Sequence, residues 1–105
     1  MGSCYGLLMR IYSRSALREF WVSHADAEQS LIAWFAEAKK SHWKEPTDIL
    51  NQYSNARIIG KNRAVFNIMG NNYRLVVSIR YDKGLVYIRF IGTHADYDKI
   101  NALTI

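Results

Sequence analysis

Cysteine and proline are almost absent from this chain of 105 residues, which contains one of each. The single cysteine, Cys4, excludes an intramolecular disulfide and a cysteine-based zinc cluster, as is typical of proteins in a reducing compartment. No apolar run approaches the roughly 20 residues that a membrane-spanning helix needs, and the short run over residues 7–9 is too brief for a signal peptide. We therefore expect a cytoplasmic protein that has no membrane segment.

Signatures of several hydrolase classes are also missing. The sequence has neither the nucleophile elbow of a serine hydrolase nor a glycine-rich phosphate loop. The histidines of the first half have no metal-ligand spacing to Cys4, and Asp82, Asp96 and Asp98 do not form a carboxylate cluster for Mg²⁺. We expect no metal and no cofactor.

Acidic residues are scarce in the second half, where Asp82 is the only one between residues 57 and 89. The same stretch holds seven basic side chains, which are Arg57, Lys61, Arg63, Arg74, Arg80, Lys83 and Arg89. The formal net charge of the whole chain is +5. A surface that carries these side chains attracts polyanions.

The length and the hydrophobic content of 50% predict one domain over residues 1–105. Residues 1–8 are predicted to be a poorly ordered extension, which leaves either Met1 or Met9 as the start. The elements of the first half are predicted at residues 7–12 (strand), 13–21 (helix), 24–40 (helix), 47–53 (a turn of helix) and 56–60 (strand). The longer helix has a buried stripe at the usual spacing, formed by Leu31, Trp34, Phe35 and Ala38.

Three runs of alternating polarity predict antiparallel strands at Arg63–Met69, Asn72–Tyr81 and Leu85–Thr93. The connecting turns are predicted as two-residue loops, Gly70-Asn71 and Lys83-Gly84. The predicted register has four cross-strand pairs, which are Asn67 with Arg74, Val65 with Val76, Ser78 with Arg89, and Arg74 with Thr93.

This register gives the sheet two unlike faces. The basic face is predicted to carry Arg63, Asn67, Arg74, Ser78, Arg80, Arg89 and Thr93. The core face is predicted to carry Phe66, Ile68, Tyr73, Leu75, Val77, Ile79, Val86, Ile88 and Phe90. A capping box of Thr93 and Asp96 then starts a short C-terminal helix, so that His94 lies beside the basic face. The predicted fold class is α+β, with a small antiparallel sheet packed on N-terminal helices.

The segments Val65–Leu75, Tyr87–His94 and Tyr97–Ile100 resemble the HigB toxins of the RelE superfamily. The resemblance covers roughly residues 9 to 100 in element order. It implies a RelE-like fold and an RNA endonuclease that cuts translated mRNA in the ribosomal A site. It also implies a partner, a HigA-type antitoxin with a helix-turn-helix domain. The toxin would contact DNA only indirectly, through this antitoxin.

Metal-free RNA cleavage requires groups that deprotonate the 2′-hydroxyl, stabilise a phosphorane and protonate the leaving oxygen. Arginine is suited to clamping phosphoryl oxygens, and histidine transfers protons near neutral pH. The candidate catalytic residues are Arg74, Arg89, His94 and Tyr97. The candidate RNA-binding residues are Lys61, Arg63, Asn67, Arg80 and Lys99.

Each candidate has a structural alternative. Arg74 and Arg89 have the alternative role of solvated charges on a sheet face, although few acids lie near them to pair with, and His94 has that of a helix-entry residue. Tyr97 fits packing under the sheet, and Asn67 fits a bond to strand backbone. A solvated role also fits the residues that flank the turn or lie on the last helix, which are Arg80, Lys83, Asp98 and Lys99.

Two other functional classes remain open from the sequence. One is an RNA-binding module without catalysis, and the other is a protein-interaction domain whose basic face is covered by an acidic partner. Two surfaces are candidates for the antitoxin. They are the basic face and the exposed side of the helices, which carries Arg14, Arg18, Lys39 and Lys40.

Overall fold

The chain forms five strands and four α-helices in a computed structural model that describes residues 9–60 and 62–105. The elements in chain order are β1 (Arg10–Tyr12), α1 (Arg14–Ser23), a 3₁₀ turn (Ala25–Ala27), α2 (Glu28–Lys39), α3 (Pro46–Gln52), β2 (Arg57–Ile59), β3 (Arg63–Ile68), β4 (Tyr73–Arg80), β5 (Leu85–Thr93) and α4 (His94–Tyr97). The predicted extension over residues 1–8, the beginning of the predicted first strand and Lys61 lie outside the described residues.

All five strands belong to one sheet, in the order β1-β5-β4-β3-β2. Strands β2 to β5 pair antiparallel, as predicted, whereas β1 lies parallel to β5. Parallel neighbours need a crossover connection, and helices α1 to α3 and strands β2 to β4 lie between these two in the chain. The α+β class is confirmed, and the sheet is mixed rather than wholly antiparallel.

The predicted helix over residues 24–40 begins later than expected. Helix α1 continues to Ser23, because the backbone N–H of His24 donates to the carbonyl of Phe20 at 3.0 Å. The His24 ring also stacks on the Phe20 ring, with their centroids 4.1 Å apart. A 3₁₀ turn then leads into α2 at Glu28.

The core lies between the helices and one face of the sheet. Phe66 is its centre, since it meets Trp34 edge-on at 5.3 Å, stacks with Trp43 at 6.0 Å and meets Tyr53 edge-on at 5.1 Å. The predicted stripe on α2 is buried at Leu31, Trp34 and Ala38, and its fourth member is partly buried. Burial of each large apolar side chain contributes about 1.5–3 kcal/mol to folding.

The predicted register is confirmed between β3 and β4, where Asn67 lies opposite Arg74. It is wrong between β4 and β5. The loop has four residues, from Tyr81 to Gly84, because the N–H of Lys83 donates to the carbonyl of Arg80 at 3.1 Å and Gly84 has a positive φ of 67°. The corrected partners are Ser78 with Tyr87, not Arg89, and Arg74 with Gly92, not Thr93.

A β-bulge at Arg89 makes the second half of β5 face the other way. Val76 pairs with Phe90 and Val77 with Ile88, so Arg89 has no partner on β4. Beyond the bulge the alternation of side chains is reversed. Phe90, which we predicted in the core, lies on the face opposite the helices, and Thr93, which we predicted on the basic face, is paired with the core residue Tyr73.

Gly92 leaves space for the Phe90 ring that the bulge has redirected. A Cβ at residue 92 would lie 2.5 Å from Phe90 Cζ. Gly92→Ala is therefore expected to lower the free energy of unfolding by about 1–3 kcal/mol, as overpacked substitutions do. Urea unfolding measures this loss.

A double-mutant cycle separates the clash from other effects of the alanine. Phe90→Leu removes the ring tip, so Gly92→Ala should cost less in that background than in the parent. An unchanged unfolding midpoint for Gly92→Ala in the parent would contradict the close contact.

Candidate nucleic-acid interface

The open face is the side of the sheet opposite the helices, and its polar residues come from β3, β4 and β5. They are Arg63, Asn67, Arg74, Ser78, Arg80, Tyr87 and Arg89. Six of the seven predicted members of the basic face lie here, and the exception is Thr93. Two groups of side chains form on this face, one at each end of β4.

The arginine cleft is a cavity of about 400 Å³ at the β4 end nearer the β4–β5 loop. Its lining consists of Asn62, Arg63, Ser78, Ile79, Arg80, Tyr87 and Arg89. The bulge directs Arg89 into this cleft, where its Nε donates to Ser78 Oγ at 2.9 Å. The Arg89 guanidinium also lies 5.4 Å from the centroid of the Tyr87 ring.

Tyr87 and Tyr12 are residues of the open face that we did not select from the sequence. Their rings stack with centroids 5.2 Å apart and planes inclined by 20°. The stack exists because β1 lies parallel to β5 and places Tyr12 opposite Tyr87. The only sequence signal that could have identified Tyr87 was the alternation along β5, which assigns Tyr87 to the same side of the strand as Arg89. Aromatic rings beside arginines form a platform on which nucleic-acid bases stack.

The turn cluster lies at the other end of β4, around the β3–β4 turn, and contains Asn67, Arg74 and His94. Arg74 Nη1 donates to the carbonyls of Asn71 at 3.1 Å and Tyr73 at 3.3 Å. The backbone N–H of His94 donates to the carbonyl of Asn72 at 3.3 Å. The turn therefore holds Arg74 and the start of α4 close to each other.

Helix α4 begins as the sequence predicted. Thr93 Oγ1 accepts the backbone N–H of Asp96 at 3.1 Å, which caps the first turn. The exposed ring of His94 lies 3.5 Å from a carboxylate oxygen of Asp98, measured from Nδ1. Tyr97 is partly buried, which fits its alternative role of packing under the sheet. Lys99 is exposed just after the helix.

The predicted single clamp of Arg74 and Arg89 is divided between these two groups. Arg89 contacts Ser78, which is four residues from Arg74 and thus roughly 13 Å away at the usual rise of a strand. Between them runs an apolar row of Val65, Val76 and Phe90, and the two valines are buried although they lie outside the main core.

The C-terminal segment covers part of the open face. Arg63 Nη1 donates to the carbonyl of Ala102 at 3.3 Å and to the backbone oxygen of Ile105 at 2.7 Å. A Cβ at Gly60 would lie 2.9 Å from a terminal carbon of Leu103. Arg63 is thus held against the protein's own backbone, on the side of the cleft nearer β2.

Two arginines of the open face, Arg74 and Arg89, donate to neutral oxygens. The ion pairs within residues 9–60 and 62–105 are Arg80 with Asp82 at 3.4 Å and His94 with Asp98 at 3.5 Å. The hydrogen bond from Arg80 lowers the pKa of Asp82, so this carboxylate offsets one cation at the edge of the face. The positive charge of Arg74 and Arg89 is left available to an anion.

Neither a metal site nor a membrane span is found in the described parts of the chain. No group of three or more His, Cys, Asp or Glu side chains is close enough there to bind a metal ion. No helix among these residues has the length and apolar character needed to cross a membrane.

The profile of the HigB toxin family, described as the RelE-like toxic component of a toxin-antitoxin system, matches residues 27–100. The chain belongs to this HigB family. It is similar to the mRNA interferase toxin HigB of Escherichia coli K12 and to the mRNA interferase HigB of Shigella flexneri. Each is 26% identical over 98 residues, which cover 90% of this chain and 93% of the relative. The resemblance seen in the sequence is confirmed.

The residues that match the HigB profile include β2 to β5 and α4. Both the arginine cleft and the turn cluster are therefore built from the part of the chain that defines the family. Tyr12, which completes the tyrosine stack, lies before the matched residues.

Proposed function

We propose that this HigB-family chain is an mRNA interferase, an endoribonuclease that cuts mRNA in the ribosomal A site by attack of the 2′-hydroxyl, without a metal ion. The observation that carries the proposal is the pair of open-face arginines, Arg74 and Arg89, bonded to neutral oxygens, because their charge remains free to bind phosphate. The two relatives are named mRNA interferases, which supports the same reaction class.

The chemistry is assigned to the turn cluster. Arg74 stabilises the charge that develops on the phosphorane, and the planar guanidinium suits two of its oxygens. His94 is the exposed proton-transfer group beside Arg74, and Tyr97 is the second candidate donor, one turn further along α4. Asn67 lies opposite Arg74 and binds the RNA on its flank.

The arginine cleft is assigned to a neighbouring nucleotide of the same strand. Arg89 and Arg80 bind its phosphate, and Tyr87 stacks on its base. Arg63 joins them if the C-terminal segment moves aside, and Lys61 and Lys99 are the outer contacts. This division follows from where the two guanidinium groups are bonded, since Arg74 is held at the β3–β4 turn and Arg89 at Ser78, four residues further along β4.

The ribosome is proposed as a necessary partner. One histidine and one tyrosine on an exposed helix are weak proton-transfer groups unless the RNA is held in the reactive geometry, and an mRNA in the A site is already oriented. The protein would act in the cytoplasm, where a HigA-type antitoxin with a helix-turn-helix domain would silence it and connect it to DNA.

The proposal is tested by incubating the purified chain with ribosomes stalled on a defined mRNA. Cleavage within the A-site codon is expected, and the same RNA without ribosomes should be cut much more slowly. RNA that is bound but never cut on translating ribosomes would favour the binding module without catalysis.

His94→Gln is expected to lower the single-turnover cleavage rate about 100-fold, the lower end of what general acid–base catalysis contributes. RNA affinity should change less than threefold, because the amide keeps a polar side chain on the exposed helix. Rapid-quench kinetics and filter binding measure the two quantities. His42→Gln is the matched control, since His42 is exposed outside the open face. Equal rates for His94→Gln and the parent would remove His94 from the mechanism.

A further inference from the structure

A cavity of about 430 Å³ lies on the side of the molecule between α2 and the outer edge of β3. One wall is the face of α2 that carries Ser30, Ala33 and Glu37, and the floor is the segment of β3 from Phe66 to Met69. The residues after α3, from Gln52 to Ala56, form the far wall. We name this cavity the edge groove.

The floor of the edge groove is an unpaired strand edge. The N–H of Ile79 donates to the carbonyl of Asn62 at 2.7 Å, and hydrogen-bonded pairs of an antiparallel ladder recur at every second residue. The even-numbered residues of β3 therefore bond to β4. The odd-numbered ones, Val65 and Asn67, direct their backbone N–H and C=O toward the opposite side.

Strand β2 covers only part of this edge. On the side of β3 that faces away from β4, Arg57 of β2 lies opposite Val65, and no strand among the described residues lies beside Asn67. The chain before β2 turns away, because the N–H of Ala56 donates to the carbonyl of Tyr53 at 3.0 Å. The backbone N–H and C=O of Asn67 consequently face the edge groove. An exposed edge of this kind is a template for another strand.

Trp34 forms part of the wall of the same groove. Its side chain is 3% exposed, and its Nε1, which has no hydrogen-bond partner among the described residues, is itself buried. The ring is therefore a wall of the groove that an occupant would touch.

The charge of the groove indicates the class of its occupant. Glu37 is the only charged residue in the lining, and Tyr53 OH donates to its Oε1 at 2.6 Å. Burial, and then this hydrogen bond, raise the pKa of the Tyr53 hydroxyl, which keeps it protonated as the donor. A groove that presents one acid and no base does not attract RNA, and its backbone edge fits an extended polypeptide.

We propose that the edge groove binds an extended segment of the antitoxin, which adds a short strand beside β3 at Asn67. The antitoxin is the occupant to which we commit, since the family is the toxic component of a toxin-antitoxin system. A second copy of this chain fits less well, because two protomers of charge +5 repel each other. The choice of the antitoxin as partner rests on the proposed function, whereas the description of the groove does not.

The first experiment fills the groove and measures antitoxin affinity. Ala33→Trp puts a large side chain on the lining of α2, and Ala36→Trp puts the same side chain on an exposed position of α2 outside the lining. The probe is the antitoxin encoded beside this chain, purified and titrated by calorimetry. Ala33→Trp is expected to weaken binding at least tenfold, and Ala36→Trp less than twofold.

The second experiment removes only the outward N–H of the edge. Asn67→Pro and Asn67→Ala both delete the amide side chain, and only proline also deletes the backbone donor, which β4 does not use. Asn67→Pro is expected to bind the antitoxin at least fivefold more weakly than Asn67→Ala. Circular dichroism checks that both variants fold. If proline unfolds the strand, hydrogen exchange of the parent protein replaces this comparison. Complex formation should protect the backbone amide of Asn67 from exchange.

The indole resonance of Trp34, a residue of the groove lining, reports on occupation of the groove in ¹⁵N-labelled protein. It should shift when the complex forms, whereas that of Trp21, which is outside the lining, should not move. Unchanged affinity for Ala33→Trp together with an unmoved Trp34 resonance would overturn the proposal. A free protein that dimerises through the groove, and becomes monomeric as Ala33→Trp, would overturn it in favour of a second copy.

Ribosome-dependent cleavage is assayed separately, so a chain that binds antitoxin through the groove but cuts no mRNA would refute the proposed function alone.

Discussion

Arg74→Ala is expected to abolish the growth arrest that this chain causes when it is expressed without antitoxin. Arg74 is bonded to the same turn as the start of α4, and its charge is not neutralised by a carboxylate in the described residues. Removing one donor that stabilises developing transition-state charge costs about 10²–10³ in rate. Single-turnover cleavage on ribosomes should fall by that factor, and growth curves give the cellular result.

Two further variants make the Arg74 result specific. Arg74→Lys keeps the charge but loses the planar fork, so its rate should lie between those of the parent and of Arg74→Ala. Arg18→Ala, on the exposed side of α1, should remain fully toxic. The carbonyls of Asn71 and Tyr73 lose a donor in Arg74→Ala, with a cost of about 1 kcal/mol, which a thermal melt will detect without loss of the fold. A folded Arg74→Ala protein that is as toxic as the parent would refute the assignment.

A 2′-O-methyl group at the scissile nucleotide is expected to stop cleavage completely. The proposed reaction uses the 2′-oxygen as the nucleophile, so the methylated substrate has no group to deprotonate, and a 2′-deoxy nucleotide should behave alike. Products of the unmodified RNA should end in a 2′,3′-cyclic phosphate or a 3′-phosphate, as end-specific labelling and mass spectrometry will show. The same modification two nucleotides away is the control and should leave the rate unchanged.

The role of metal is tested in the same assay. Protein treated with EDTA and then freed of chelator should cut at the parent rate on ribosomes kept in magnesium, since no carboxylate cluster in the described residues would hold a catalytic pair of ions. Products that end in a 3′-hydroxyl, or cutting of the methylated RNA, would show that another mechanism operates.

The sequence predicted those parts of the fold that depend on local periodicity. The register of β3 on β4 followed from a turn at Gly70 and Asn71, and Thr93 was recognised as a cap because capping involves residues three apart. The family resemblance came from the same continuous stretch. These features are encoded within a few residues of one another.

The errors arose where distant or irregular contacts decide the geometry. The bulge at Arg89 reversed the direction of Phe90, and nothing in a strictly alternating stretch indicates where one residue will be left unpaired. Tyr12 was not selected because its role depends on parallel pairing with a strand 75 positions later. The division of the arginines into two groups follows from that same bulge and from the four-residue loop.

The parallel pairing of β1 with β5 also determines when the sheet can be completed. Strands β3, β4 and β5 follow one another in the chain and pair through short loops. Pairing of β1 with β5 instead brings together residues near the two ends of the chain, so it closes a much longer loop. During synthesis β1 emerges first and has no partner until Leu85 to Tyr87 have been made. The stacked tyrosines beside the arginine cleft therefore cannot form before Tyr87 has been made. A chain interrupted before that point has no finished cleft with which to bind RNA.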